Sequence, residues 1–286
     1  MEISLGTSSF NITVTAPMTE CMDDYGPRFD TLGAITSIRF GGVEFCAREG
    51  LIDEFNIQAP LSPPGYDDAK PGDPFLKIGV GELVRPDEKI YKFHHPYDIR
   101  KIAPAVIKRR KNEIELKQRF RTENGWGYEY RKIIRINPED AVLEIIYFLK
   151  NTGTHVINAE QYNHNWFNFG GKDVDESYTL EHSFPIGNHI PQWFKMQEGR
   201  INLSKKITRA HYYPSDASVP ADANRIKLSH SGTGRSVTAS GDFAATRFSL
   251  YVDQAAVCPE VFAQSTLKPG ASEKWTRRYE FKSCNK

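Results

Sequence analysis

The chain has 286 residues, of which 39% are apolar and 12% aromatic, a composition typical of a globular protein with a substantial core and not of a disordered one. Its 37 Lys and Arg residues nearly balance its 36 Asp and Glu residues, which gives a net charge of +1. This balance provides no electrostatic reason to expect nucleic acid or an anionic membrane as a partner.

The sequence contains no run of the roughly 18 apolar residues that a membrane span requires. Its first residues, Met-Glu-Ile-Ser-Leu, lack the basic and then apolar pattern of a signal peptide. We therefore expect a cytoplasmic protein, or a periplasmic one if a signal peptide has been removed. The four cysteines, at positions 21, 46, 258 and 284, include no CxxC pair, which indicates neither a disulfide framework nor a zinc site.

Strand patterns run along most of the chain. Residues 34–40 and 43–46 flank the pair Gly41-Gly42 and predict a hairpin. Residues 105–157 predict an antiparallel meander. No window of twelve or more residues shows a helical period. The strands expected within the meander and near the C-terminus are 114–120, 128–136, 142–149, 235–240, 246–253, 256–263 and 273–282.

Two segments interrupt these strands. Residues 58–74 hold several prolines and glycines and predict a long ordered loop of the kind that covers a site. Residues 214–224 predict a second loop. Many short strands at about ten-residue spacing indicate an all-β sandwich or barrel. Since no segment has the composition of an interdomain linker, we predict a single domain over residues 1–286.

The most informative segment is 158–171, NAEQYNHNWFNFGG. It crowds asparagines, a histidine and aromatic residues into a strand pattern, where each buried polar group costs free energy unless it is hydrogen-bonded. Aromatic faces beside amide and imidazole groups suit the recognition of a sugar. His164 is the natural candidate for proton transfer, although a histidine taken alone is more often a structural, hydrogen-bonded residue.

Several motifs in chain order resemble one family. The opening segment 28–42 (RFDTLGAITSIRFGG), Asn151-Thr-Gly with 163–168 (NHNWFN), and the closing Cys258-Pro-Glu with 267–270 (LKPG) are similar to motifs of the aldose 1-epimerase, or galactose mutarotase-like, superfamily. The resemblance implies a large antiparallel β-supersandwich. It covers most of the chain but not residues 176–224.

The same resemblance implies site residues. His164 matches the family's general acid and Glu260 its general base, and His94 or His95 lies where a second active-site histidine is expected. The family's Leu-His-Gly-Gly passage, its substrate-gripping arginine and its later sugar-binding aspartate have no clear counterparts, so an acidic, phosphorylated or keto sugar is an open alternative to galactose. The candidate substrate-binding residues are Asn163, Trp166, Asn168 and Trp193, with Lys77 or Arg85 in place of the arginine.

The resemblance therefore predicts an isomerase that interconverts the anomers of a small sugar or oligosaccharide by acid–base catalysis. Such a reaction moves only protons, and we expect no metal and no organic cofactor. Two alternatives remain: a non-catalytic carbohydrate-binding protein, in which Trp166 or Trp193 stacks on the sugar, and a lyase or hydrolase on the same fold. We expect a monomer or a homodimer.

Overall fold

The structure is a computed structural model that describes residues 1–19, 26–186, 194–197, 199–215 and 218–284. Within these ranges the chain forms 22 β-strands, numbered β1–β22 in chain order, and two single-turn 3₁₀ helices at Gly26–Arg28 and Ala221–Ala223. The expected all-β class is therefore confirmed. Among the residues described, no helix is long and apolar enough to cross a membrane.

Two large antiparallel sheets and one small sheet contain all of these strands. The first sheet has the order β1 (Glu2–Gly6), β2 (Phe10–Thr15), β3 (Ala34–Phe40), β5 (Cys46–Phe55), β13 (Ile157–Phe167), β21 (Val257–Leu267), β20 (Ala245–Val252) and β17 (His211–Ser215), with β4 (Val43–Glu44) beside β3. The second has the order β15 (Phe194–Gln197), β16 (Arg200–Leu203), β14 (Tyr178–His182), β18 (Arg225–His230), β19 (Arg235–Gly241), β22 (Ser272–Ser283), β12 (Val142–Asn151), β11 (Gly127–Asn137), β10 (Glu113–Arg121) and β9 (Ala105–Arg110). The small sheet has the order β6 (Pro74–Lys77), β7 (Gly81–Val84) and β8 (Ile99–Ile102).

The hydrophobic core lies between the inner faces of the two large sheets. Strand β10 shows why its side chains contribute to this core. Its buried residues alternate with more exposed ones along the chain, as expected when one face of a strand packs inward and the other faces solvent. Strand β13 differs: ten of its eleven residues are buried. Both faces of β13 are therefore covered, one by the second sheet and the other by the segments that form the candidate site.

A buried polar cluster fixes β13 and its neighbour β5 against the second sheet. Lys132 on β11 donates to Asp30 at 2.8 Å and to Asp53 on β5 at 2.9 Å. The carboxylate of Asp53 also accepts hydrogen bonds from Tyr147 at 2.8 Å and from Asn163 at 2.8 Å. Because the residues that follow Asp53 and Asn163 in sequence point to the opposite face, this cluster sets the positions of Glu54 and His164.

Several predicted elements are confirmed in detail. Strands β3 and β4 pair through Arg39 with Glu44 and Phe40 with Val43, as the predicted hairpin requires. Strands β9 to β12 are neighbours in the order of the predicted meander, and β19 to β22 match the four predicted C-terminal strands. The chain between β5 and β6 contains the predicted long loop. The sequence patterns did not predict the full length of β5 or the small sheet.

Candidate active site

The outer face of β13 carries the candidate site. Tyr162, His164 and Trp166 alternate along this strand and therefore point to the same side. Their rings are in contact, with the Tyr162 and His164 centroids 4.6 Å apart and the His164 and Trp166 rings stacked at 5.4 Å. A bulge against β5 between Asn165 and Phe167 adjusts the register at Trp166.

Asn163 and Asn165 on this strand point the other way. The side-chain amide of Asn163 donates to Asp53 at 2.8 Å. Asn165 donates to the Pro259 carbonyl oxygen at 2.6 Å and accepts from the Tyr279 hydroxyl at 2.9 Å. These bonds tie β13 to the second sheet and to β21, so the amide groups that stand out in the sequence hold the strand in place.

His164 lies between two carboxylates. Its Nε2 atom is 2.6 Å from the Tyr162 hydroxyl and 3.1 Å from Oε2 of Glu54 on β5. Its Nδ1 atom is 3.0 Å from Oε1 of Glu260 on β21, an ion-pair distance. The N–H direction at Nδ1 is not aligned for a hydrogen bond, so among the described residues this buried atom has no aligned partner. We therefore describe the His164–Glu260 contact as electrostatic.

The charged side chains around His164 shift its pKa and that of Glu54 in opposite directions. Burial alone would lower the pKa of His164, but the Glu260 and Glu54 carboxylates outweigh burial and raise it. Burial alone would raise the pKa of Glu54, but Arg28, together with His164 and Lys77, lowers it to about 2. The two carboxylates therefore favour the imidazolium form of His164, the state that a general acid requires.

Glu260 is oriented by its own strand and the next one. Ser249 on β20, which pairs with Glu260 in the strand register, donates to Oε2 at 2.6 Å. The thiol of Cys258, two residues earlier on β21, donates to Oε1 at 3.4 Å. The ligand atoms of His164, Cys258 and Glu260 all lie within 4.8 Å of one another and could hold a metal ion.

Aromatic and basic side chains surround this group. Arg28, from the first 3₁₀ helix, donates from Nε to Glu54 at 3.0 Å and keeps 26% of its side chain exposed. Its guanidinium lies 4.3 Å from the centre of the Phe93 ring. Phe29 meets His164 edge-on at 5.1 Å. Since His164 and Glu260 keep only 5% and 6% of their side chains exposed, Arg28 marks the side on which the group is nearest to solvent.

A cavity that is open to solvent lies on the second sheet. It has a volume of about 940 Å³, and its lining includes Glu181, Arg200 and Lys227. Both basic groups lie 3.4 Å from the Glu181 carboxylate, and all three side chains are at least one-third exposed, so these are surface ion pairs of small energetic weight. The chemistry of its side chains therefore makes the His164 group a better candidate site than this cavity.

The structure brings together three of the residues predicted for the site, His164, Glu260 and Trp166. The positive charge of Lys77 also acts on this group, because it contributes to the low pKa of Glu54. Its ammonium group is buried, donates to the Asn56 carbonyl oxygen at 3.2 Å and to the Tyr91 hydroxyl at 3.0 Å, and has its pKa lowered to about 8 by burial.

The other predicted residues have different surroundings. His94 meets the Phe93 ring edge-on at 5.1 Å, and His95 meets the Tyr97 ring edge-on at 4.7 Å. Of this segment, it is the neighbouring Phe93 that contacts Arg28. Arg85 donates to backbone carbonyl oxygens of the 66–69 and 87–89 segments and so holds the long loop. Asn163 bonds to Asp53, and Asn168 donates to the Lys172 and Ala255 carbonyl oxygens. Trp193 lies outside the described residues.

Sequence reasoning missed Glu54, Arg28 and Tyr162. Glu54 follows Asp53 in the buried strand segment LIDEF, and two adjacent carboxylates inside an apolar strand are an unusual pattern that could have been noticed. Arg28 lies in the segment used for the resemblance, but nothing local indicated that its side chain turns towards β13. The contact of Arg28 with Glu54 lies beside β13 only because β5 pairs with β13, and that pairing joins segments far apart in the sequence.

The two large antiparallel sheets, with the His164 group on the outer face of the first, have the architecture of the galactose mutarotase-like supersandwich. A galactose mutarotase-like protein from Lactobacillus casei ATCC 334 superposes with a TM-score of 0.59 at 13% identity, over 99% of this chain and 100% of that chain. An aldose epimerase homologue from C. elegans gives 0.59 at 10% identity, over 100% and 99%. A galactose mutarotase related enzyme from Lactobacillus acidophilus gives 0.56 at 12% identity, over 100% and 98%. The sequence itself matches no family model and no curated protein. At these identities the likeness shows the fold, and the expected galactose mutarotase-like fold is confirmed.

Proposed function

We propose that this protein acts on a free or lightly modified sugar as an aldose 1-epimerase-like enzyme that interconverts anomers. The observation that carries the proposal is the contact between His164, whose pKa is raised, and the Glu260 carboxylate 3.0 Å away. An acid and a base side by side are the two groups that mutarotation needs. The names of the structural neighbours, which include mutarotase-like and aldose epimerase proteins, point to the same chemistry.

The roles follow from the protonation states. Ring opening requires one group that gives a proton to the ring oxygen and one that takes the proton from the anomeric hydroxyl. His164 is the donor, because its imidazolium is stabilised by two carboxylates, and Glu260 is the acceptor. The C1–C2 bond then rotates, and the reverse transfers close the ring as the other anomer. Glu54 and Tyr162 act as positioning residues, because both contact the Nε2 side of His164.

A sugar would bind by replacing the direct contact between the acid and the base. Because Nδ1 of His164 has no aligned hydrogen-bond partner among the residues described, a sugar oxygen that accepts its proton would improve on the contact with Glu260. Substrate would approach beside Arg28, which keeps 26% of its side chain exposed. Proton transfers of this kind contribute roughly 10²–10⁴-fold each.

The test is the rate at which freshly dissolved α-anomers equilibrate, followed by polarimetry over a panel of neutral, acidic and phosphorylated aldoses. The wild type is expected to speed at least one of them, and His164→Asn to lose this acceleration. His155→Asn is the matched control, since His155 is a surface histidine that packs against Trp126 with the ring centres 4.7 Å apart. Full activity of His164→Asn in a folded protein would refute the assigned role.

A second function, non-catalytic sugar binding, is favoured by one observation. His164 and Glu260 already neutralise each other and are almost fully buried, so they could serve to hold β13 and β21 together. That function predicts saturable sugar binding, measured by calorimetry, that is weakened by Trp166→Ala and is accompanied by no acceleration of anomer exchange.

A further inference from the structure

Three metal-ligating side chains converge at the proposed acid–base pair: its two members, His164 and Glu260, and the thiol of Cys258. Nδ1 of His164 and Sγ of Cys258 lie 3.0 and 3.4 Å, respectively, from the same oxygen, Oε1 of Glu260. The three atoms all fall within 4.8 Å of one another. His164 comes from β13, while Cys258 and Glu260 alternate on β21 and so project on one face.

Two of the three separations are close to those of a tetrahedral site. With metal–ligand distances of about 2.0–2.3 Å, the ligand atoms of tetrahedral zinc stand about 3.3–3.7 Å apart. The contacts of Glu260 Oε1 with the other two atoms are within a few tenths of an ångström of that spacing. A thiolate, an imidazole and a carboxylate together select Zn²⁺ over Mg²⁺ or Ca²⁺, which prefer oxygen ligands alone.

The groups around the ligands are those that a zinc site needs. Nε2 of His164 faces the Glu54 carboxylate at 3.1 Å, so the proton on Nε2 is held there, and a metal ion that displaces the Nδ1 proton would meet the Nδ1 lone pair. That Nδ1 atom is buried and has no aligned hydrogen-bond partner among the residues described. Ser249 holds the second oxygen of Glu260 at 2.6 Å, which leaves Oε1 to face the other two ligands.

An ion pair alone explains less of this arrangement. It accounts for the approach of His164 to Glu260. It gives no reason, however, for a buried thiol to share the same carboxylate oxygen. Both features are expected when the three atoms surround a common centre.

We propose that His164 Nδ1, Cys258 Sγ and Glu260 Oε1 form a three-ligand Zn²⁺ site, with the fourth position taken by water or by an oxygen of a bound ligand. Binding displaces the proton on Nδ1 of His164 and deprotonates the Cys258 thiol, and both protons pass to solvent. The site goes beyond the proposed function, because mutarotation uses no metal. If that function holds, the ion occupies both the proton donor and the acceptor, and Zn²⁺ inhibits the enzyme until a chelator removes it.

The experiment is isothermal titration of the full-length, tag-free, metal-stripped protein with ZnCl₂, in the absence of sugar. One Zn²⁺ per chain is expected, and Co²⁺ in its place is expected to give thiolate-to-cobalt charge-transfer absorption. Cys258→Ser should abolish that absorption and weaken Zn²⁺ binding by at least about 100-fold, and Glu54→Gln should weaken it by about 10- to 100-fold. Cys46→Ser is the matched control, because Cys46 lies on β5 with its thiol near the Ile35 carbonyl oxygen.

Two results would overturn the site: failure of the folded wild type to bind Zn²⁺, or Zn²⁺ binding that is equal in Cys258→Ser and the wild type. If Cys258→Ser does not fold, the cobalt absorption of the wild type still tests the site, because a cobalt complex without that absorption would contain no thiolate ligand. Because binding is measured without sugar, Zn²⁺ binding without mutarotation would refute the proposed function alone. Mutarotation without Zn²⁺ binding would refute the metal site alone.

Discussion

Replacement of Glu54 by glutamine should destabilise the protein in a manner that depends on pH. Glu54 is completely buried, and although burial alone would raise its pKa, Arg28, His164 and Lys77 lower that pKa from the ordinary 4.5 to about 2. Since each unit of pKa corresponds to about 1.4 kcal/mol, the ionised form contributes about 3 kcal/mol to the free energy of unfolding. Glutamine keeps the shape of the side chain but removes the charge.

The sign follows from the low folded-state pKa. The unfolded chain takes up a proton near pH 4.5 and the folded chain only near pH 2, so the stabilisation is complete above pH 4.5 and is lost as the pH falls towards 2. Urea denaturation at pH 7, 5, 4 and 3 should therefore show Glu54→Gln about 3 kcal/mol less stable than the wild type at pH 7, with the difference shrinking below pH 4.5.

A control separates this effect from the general loss of a carboxylate. Glu144 on β12 pairs with Arg135 and Arg278 at 3.0 Å, and its side chain is 25% exposed. Glu144→Gln is expected to cost no more than about 1 kcal/mol, as for other surface pairs. If Glu54→Gln and Glu144→Gln had the same stability at every pH, the description of Glu54 as a buried anchor for His164 would be wrong.

Two further predictions concern the buried charges. In an NMR titration, His164 should protonate at a pH above the ordinary 6.5, and Glu260→Gln should lower that midpoint; equal midpoints would contradict the ion pair. The stability that charged His164 contributes is then complete below pH 6.5 and is lost as the pH rises through its folded-state pKa. Lys132→Met should cost about 3–5 kcal/mol in urea denaturation, because it leaves Asp30 and Asp53 buried without their cation. Adding Asp30→Asn should recover part of that loss, and no recovery would mean that the cost comes from packing.

The strand pattern of the sequence was a good guide to most of the fold. The meander of β9 to β12 joins neighbours through short turns, so alternation along the chain was enough to predict it. Strand β5 was underestimated because its last six residues are buried on both faces, and a strand covered on both sides loses the alternation that reveals it. That the chain forms a single domain stays a prediction.

The candidate site was predictable only in part, and the reason is strand register. The NHNWFN segment predicted a polar site, but a one-residue step along β13 decides which side chains face it: His164 does, and Asn163 faces Asp53 instead. Glu260 was predicted as a site residue from the family resemblance. Glu54 could not be placed beside His164 without the pairing of β5 with β13, which no local pattern specifies.

The most direct test of the central claim is the rate of anomer exchange in Glu260→Gln, measured by exchange NMR on a sugar whose equilibration the wild type accelerates. Glu260 accepts a hydrogen bond from Ser249, which glutamine can retain through its carbonyl oxygen, so the variant should stay folded. The proposal predicts a loss of roughly 10²–10⁴-fold in the catalysed rate. A rate equal to that of the wild type would contradict the claim that His164 and Glu260 form the acid–base pair.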